Sequence, residues 1–188
     1  MSLSSTPLYS HQIGTKQFIF RFPQLKDQEQ MVEYSNEFNA ESEFTLYPEE
    51  RIGPLDATQY LLSIIEKTNR HDSVYLFAIN QTDGGERLAG RINISLEAGV
   101  QHHVGELGIS VRQEYRDQGL GRLMVELTIK MAKIWLPSLE IIQLTTFGTN
   151  ARALHLYQEL GFVEFGRLPK GIKRQGQYQD FVYLRREA

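Results

Sequence analysis

The stretch Val111-Arg112-Gln113-Glu114-Tyr115-Arg116-Asp117-Gln118-Gly119-Leu120-Gly121-Arg122 decides the fold. Before it, over about His103–Val111, Leu107, Ile109 and Val111 alternate with Glu106, Gly108 and Ser110, the period-2 pattern of a strand. After it, from about Gly119 to Trp135, Leu120, Leu123, Met124, Leu127, Met131 and Ile134 recur at helical spacing on one face, and Pro137 ends the run. The stretch is a strand-to-helix junction. Its two glycines, one residue apart, allow a tight turn that leaves amide N–H groups bare, and the helix dipole adds about half a positive charge. An oxyanion suits such a cradle, and phosphate is the expected guest. Arg112, Arg116, Arg122, Lys130 and Lys133 stand against Glu114, Asp117 and Glu126, so the local balance is 5 − 3 = +2 in a chain of net charge −3. A dinucleotide fingerprint needs a small residue where Met124 stands, and a P-loop needs Gly-Lys-Ser/Thr where Arg122 follows Gly121; neither applies.

Outward from the junction, the chain alternates strands and helices. Phe18, Phe20 and Phe22 mark a strand at Lys16–Phe22 that Pro23 stops. Met31, Tyr34 and Phe38 predict a helix within Gln24–Asn39, and Tyr60, Leu61, Ile64 and Ile65 a second one after Asp56 as N-cap, with a long loop at Ala40–Pro54 between them. Val74–Asn80 and Arg87–Leu96 read as an antiparallel pair joined by Gln81-Thr82-Asp83-Gly84-Gly85-Glu86. Further on come a strand at Glu140–Phe147, a helix at Asn150–Leu160 and strands near Phe162–Leu168 and Gln177–Arg185. An antiparallel set followed by strand–helix–strand–helix–strand implies an α/β (α+β) fold: one mixed, mostly antiparallel sheet with helices on both faces.

Composition narrows the function. The 188 residues carry 20 Lys+Arg, 23 Asp+Glu and no cysteine, which removes disulfides, Cys-based metal sites and thiol nucleophiles. No metal site is expected, since the adjacent His102 and His103 diverge on a strand. The acidic balance gives no global field for nucleic acid. Val74-Tyr75-Leu76-Phe77-Ala78-Ile79 is far short of the roughly 20 apolar residues that span a bilayer, so no membrane partner is expected. Residues 1–15 are polar, lack an apolar signal core and read as a flexible tail before a domain over 16–188; the compartment expected is the cytoplasm.

The motif Arg116-x-x-Gly119-x-Gly121 does not stand alone. Together with Asn150-Ala151-Arg152-Ala153-Leu154-His155-Leu156-Tyr157-Gln158-Glu159-Leu160-Gly161-Phe162, about thirty residues later, it resembles the two signatures of the GCN5-related N-acetyltransferase (GNAT) superfamily, Gln/Arg-x-x-Gly-x-Gly/Ala and Asn-x-x-Ala-x-x-Leu-Tyr-x-x-x-Gly-Phe. The likeness runs from Phe18 to Leu184 and is greatest to phosphinothricin and amino-acid acetyltransferases. It implies a sheet splayed between the family's fourth and fifth strands, with acetyl-CoA in the split. By resemblance, the backbone of Ile109, Ser110 and Val111 lines the pantetheine, Asn150 contacts it, and Arg116, Asp117, Gln118, Gly119, Leu120, Gly121 and Arg122 belong to the pyrophosphate site. Gln113 stands where the family often has proline, and Gly105 and Gly108 are candidates for the family's bulge.

Acetyl transfer to an amine needs a base, because an alkylamine with a pKa near 10 is mostly protonated at pH 7. Glu106 matches a glutamate of similar acetyltransferases and is the expected base, with His102 or His103 as alternatives; a surface strand carboxylate is the structural alternative. The Ile109 amide is the expected oxyanion donor, and Tyr157, two helical turns after Asn150, the expected acid for the thiolate. The expected acceptor is a small amino acid or amino-acid-like amine. A protein N-terminus, lysine or polyamine is the runner-up, and a non-catalytic acyl-CoA-binding module the alternative of another class. The segments 41–48 and 170–180 are expected to shape the acceptor site, and a homodimer is compatible with the pattern.

Overall fold

The structure, a computed structural model, describes residues 7–41, 43–48 and 50–188. Its strands are β1 (Tyr9–Ile13), β2 (Lys16–Arg21), β3 (Ser73–Asn80), β4 (Arg87–Leu96), β5 (Val104–Val111), β6 (Ile141–Phe147), β7 (Val163–Arg174) and β8 (Gln177–Glu187). Its helices are α1 (Gln28–Glu41), α2 (Pro54–Asn69), α3 (Leu120–Trp135) and α4 (Ala151–Glu159). The described residues form two compact units, one reaching to Ser95 and resuming over Gly108–Pro137, the other made of Leu96–Leu107 and Ser138–Ala188. Strand β5 passes from the second unit into the first. The fold class is the one expected, a mixed and mostly antiparallel open sheet.

In the first unit the strands run in the order β1-β2-β3-β4, each antiparallel to the next, with the end of β5 beside β4. Central β3 is buried on both faces, which explains its unbroken apolar run. Tyr75, Phe77 and Ile79 on one face pack with Met31 and Tyr34 of α1 and Ala57, Leu61 and Ile64 of α2. The opposite face meets α3: a Cβ on Gly90, which pairs with Ala78, would come within 3.0 Å of the Met124 side chain. Asparagine at position 93 leaves equally little room on β5, since a Cβ on Gly108 would lie 3.0 Å from Asn93 Oδ1. At Gly90 the Ser110 carbonyl, also 3.0 Å from such a Cβ, makes the close approach one of backbone, which accounts for glycine there.

In the second unit the order is β5-β6-β8-β7. Strand β5 pairs parallel with β6 from Val104↔Ile141 to Glu106↔Gln143, and β6–β8 and β8–β7 are antiparallel. Its buried side chains include Leu144, Phe147, Tyr157, Phe162, Val182 and Leu184.

Several boundaries differ from the sequence expectation. Residues 7–15, expected within a tail, contain β1, which pairs along β2 from Tyr9↔Phe20 to Ile13↔Lys16; residues 1–6 lie outside the described residues. Helix α2 begins at Pro54 with Gly53 as N-cap, and Asp56, expected as the cap, instead accepts the Gly53 N–H at 2.8 Å. Strand β7 continues past Leu168 to Arg174, turning into β8 at Gln175 and Gly176, both at positive φ. On α3 the buried residues are Leu120, Met124, Val125, Thr128, Ile129 and Ala132, while Ile134 is 76% exposed. The small Thr128 and Ala132 let the helix lie close to β3, which rotates its buried face away from Ile134.

The entry to α1 is fixed by a buried ion pair. Arg21 Nη1 donates to Asp27 Oδ2 at 2.8 Å and Nη2 to Oδ1 at 2.6 Å, and the Gln24 N–H completes the carboxylate at 2.8 Å. Removing one member leaves an uncompensated buried charge. Asp27→Ala is expected to lower unfolding free energy by about 3–5 kcal/mol in urea denaturation; a loss below about 1 kcal/mol would contradict this role.

Candidate active site

In the first unit, the strand-to-helix junction is built as a turn with few side chains over it. Arg112 follows β5, is 4% exposed, and sends its Nε to the Leu88 carbonyl at 2.7 Å. Its terminal nitrogens pair with Glu33 and Glu37 of α1, and its plane lies 5.3 Å from the Tyr34 ring centroid. Arg112, counted above toward the cradle's positive charge, is thus committed to the core; its exclusion corrects that balance. A short helical turn follows at Gln113–Tyr115, and Arg116 Nε returns to the Val111 carbonyl at 2.8 Å, closing the loop on itself.

Asp117 (φ 59°) and Gly119 (φ 88°) then turn the chain into α3 through left-handed backbone. No side chain caps α3, so its first amides have no partner within the helix. A Cβ on Gly119 would meet nothing within 4 Å, so the space above this turn is open. Arg122 lies beside Glu126 at 3.9 Å. Lys16 adds a cation that the sequence did not indicate: its Nζ reaches the Glu114 carbonyl and Gln118 Oε1, each at 3.4 Å, from the start of β2. The arrangement fits a phosphate oxyanion on the side of Gly119, Leu120 and Gly121.

Upstream, Ile109, Ser110 and Val111 are half-buried. The Ser110 hydroxyl accepts from Tyr34 Oη at 2.8 Å and from Arg91 Nε at 3.3 Å. The helical pattern gives Tyr34 only a packing role and nothing in it points to Arg91, although the alternation Arg91-Ile92-Asn93-Ile94-Ser95, with Ile92 and Ile94 buried, places a polar row on one sheet face.

The second unit holds Glu106, Asn150 and Tyr157. Glu106 is half-buried on β5 opposite Gln143. Burial pushes its carboxyl up to about 7, helped by the nearby negative charge of Glu97 and opposed by the Gln143 side chain. Tyr157 is 6% exposed, edge-on to Phe162 at 5.8 Å between centroids, and burial pushes its hydroxyl up to about 12. Asn150 caps α4, its Oδ1 accepting the Ala153 N–H at 3.2 Å. His102 Nδ1 lies 3.2 Å from the Glu97 carbonyl oxygen, and the His103 carbonyl accepts from the Glu140 and Ile141 amides. Among the described residues no three His, Cys, Asp or Glu side chains gather as a metal site.

Comparison with known proteins agrees with this architecture. The Acetyltransferase (GNAT) family profile matches residues 30–162, most of the chain, and the chain belongs to that family. It is 33% identical over 84 residues to L-amino acid N-acetyltransferase AaaT of Escherichia coli, covering 45% of this chain and 51% of the relative. It is 31% identical over 98 residues to spermidine N(1)-acetyltransferase of Vibrio cholerae, covering 52% of this chain and 56% of the relative. The match thus spans about half the length of these curated relatives. The Salmonella typhimurium protein yncA, solved with its cofactor acetyl-CoA, shares the fold with a TM-score of 0.74 at 16% identity, over 90% of this chain and 93% of that one.

The raised Glu106 carboxyl has a consequence for stability. A carboxyl whose folded pKa lies above its unfolded value contributes stability that is complete below the unfolded value and lost as pH rises through the folded one. Here that window runs from 4.5 to about 7. Glu106→Gln is therefore expected to gain melting temperature relative to the parent chain between pH 5 and pH 8. A melting-temperature difference that stays flat over that range would show that burial does not hold the proton on Glu106.

Proposed function

We propose that this chain transfers an acetyl group from acetyl-CoA to a primary amine, a small amino acid or similar molecule in the first place, by direct attack. The carrying observation is Glu106: a half-buried strand carboxyl raised to about 7 is half ionised where an enzyme works. It takes the proton of the incoming ammonium. The neutral amine then attacks the thioester carbonyl, and the Ile109 amide holds the oxyanion. Collapse of the tetrahedral intermediate breaks the carbon–sulfur bond, the thiolate takes its proton from Tyr157, and the second proton of the amine nitrogen passes to the resulting tyrosinate, which restores the hydroxyl and leaves a neutral amide. With a hydroxyl raised to about 12, Tyr157 stays protonated and available to donate throughout the neutral range.

Family membership and the open turn at Gly119 support acetyl-CoA as donor, with its pyrophosphate on residues 116–122 and its pantetheine along Ile109, Ser110, Val111 and Asn150. The sequence holds no cysteine, which excludes a cysteinyl acyl-enzyme and favours direct attack by the amine. Among the described residues no helix is long and apolar enough to cross a membrane.

Glu106→Gln is expected to remove the rise of kcat/KM around pH 7, and an unchanged profile would take Glu106 out of the mechanism. Tyr157→Phe should lower kcat by about 10- to 10⁴-fold with acetyl-CoA affinity near that of the parent. Gly119→Tyr should abolish acetyl-CoA binding in calorimetry; surviving affinity would displace the pyrophosphate from this turn. Acetyl-CoA binding without CoA release across a broad amine panel would identify a binding module instead of an enzyme.

A further inference from the structure

The first unit contains a second cationic feature, away from the cradle. Arg91 stands on β4 opposite Phe77, on the sheet face covered by α1 and α2. Its guanidinium lies 5.5 Å from the Tyr60 ring centroid and 5.9 Å from that of Tyr34, and its Nε donates to Ser110 Oγ at 3.3 Å. All three neighbours are neutral. Burial raises the hydroxyls of both tyrosines despite the pull of Arg91, so neither supplies a counter-charge.

Other arginines of this unit are treated differently. Arg21 is paired with Asp27, Arg87 with Glu33, Glu37 and Glu114, and Arg112 with Glu33 and Glu37. Among the described residues no carboxylate comes within ion-pair distance of Arg91. Nor is the group sealed in. The enclosed side-chain nitrogens and oxygens that lack a hydrogen-bond partner belong to Gln24, Ser35, Ser73 and Arg112, so the Nη1 and Nη2 of half-buried Arg91 keep access to the exterior. A guanidinium within 6 Å of two aromatic ring centroids, with its Nε fixed by a hydroxyl and its two terminal nitrogens open, can accept two carboxylate oxygens side by side. The anchoring hydroxyl belongs to Ser110, immediately after Ile109.

We propose that Arg91 binds an anionic group of the acceptor, a carboxylate in the first place, and so selects amines that carry a negative charge. This rests on the amine-acetylation reading above and adds a chemical requirement to it. A fixed cation repels a polyamine, which offers only positive charge, and it favours the neutral form of a nearby amine by disfavouring a second positive charge. Asn93 and Ser95, on the same face of β4, continue the polar row away from Arg91.

The test compares the parent chain, Arg91→Gln and Arg91→Lys in CoA-thiol release with L-amino acids, their carboxamides and spermidine. The parent is expected to favour each acid over its carboxamide by about 10- to 100-fold in kcat/KM, the range of a charge-assisted hydrogen bond. Arg91→Gln should erase that preference with the KM for acetyl-CoA unchanged, and Arg91→Lys should keep part of it. Equal turnover of acids and carboxamides by the parent, a preference for spermidine, or a parallel loss on acids and carboxamides in Arg91→Gln would each overturn the proposal. If no amine releases CoA, the transfer reading fails, and Arg91 is judged by calorimetry of the same acids and carboxamides against the CoA-loaded chain. Binding of the acids alone, lost in Arg91→Gln, supports the carboxylate site; no binding, or binding of both, refutes it.

Discussion

A guanidinium cannot leave water unaccompanied, and the first unit is arranged around one that has. Arg112 sits just where β5 ends, and its neighbours come from three elements: the Leu88 carbonyl on β4, Glu33 and Glu37 one helical turn apart on α1, and the Tyr34 ring. Its own amide bonds the Ala89 carbonyl at 2.9 Å. Side chain and backbone together hold the exit of β5 against β4 and α1. Everything the next ten residues do, including the left-handed turn at Gly119 and the bare start of α3, takes its position from that anchorage. Removing both glutamates would leave a buried charge uncompensated, which makes the anchorage stiff.

Charge in this protein is divided between holding and acting. Arg21 is enclosed with Asp27 and the buried Arg112 pairs with the more exposed Glu33 and Glu37, and they position the entry to α1 and the exit of β5. Arg91 has only neutral company, and Glu106 is half-buried near another negative charge with a side-chain amide in compensation. Stability alone would remove both, since an unpaired charge in partial burial is costly. That cost is the physical ground on which chemistry is proposed for both. Tyr157 belongs beside them, because its burial keeps a proton on a hydroxyl that solvent would release more readily.

Much of this was legible in the chain itself. The period-2 and helical patterns located the strands and helices to within a few residues, because burial on one face imposes a period that residue types must follow. The pair of signatures around Gly119 and around Asn150 and Tyr157 identified the class, since a turn that leaves amides bare requires glycine and leaves a written trace. Less visible were features whose partners lie far away in sequence. β1 reads as a tail in sequence because Tyr9–Ile13 is short, exposed and polar, and only pairing with β2 makes it a strand. Ile134 was placed on the buried face because apolarity does not reveal which of two adjacent stripes meets the sheet.

Local pattern by itself determined the element order and the strand-to-helix junction at Gly119, because each depends on spacing along one strand or helix, and the resemblance of its two motifs to a family pointed to Glu106 and Tyr157. Tertiary structure alone decided which charges are free. Arg91, Arg112 and Arg116 look alike in sequence, yet Arg112 is buried and paired with two glutamates, Arg116 closes its own loop through the Val111 carbonyl, and Arg91 lies beside two tyrosines with no carboxylate within ion-pair distance among the described residues. The fate of a charge is set by the partners and the water around it, and those are brought by folding from positions up to 102 residues apart, the separation of Lys16 and Gln118.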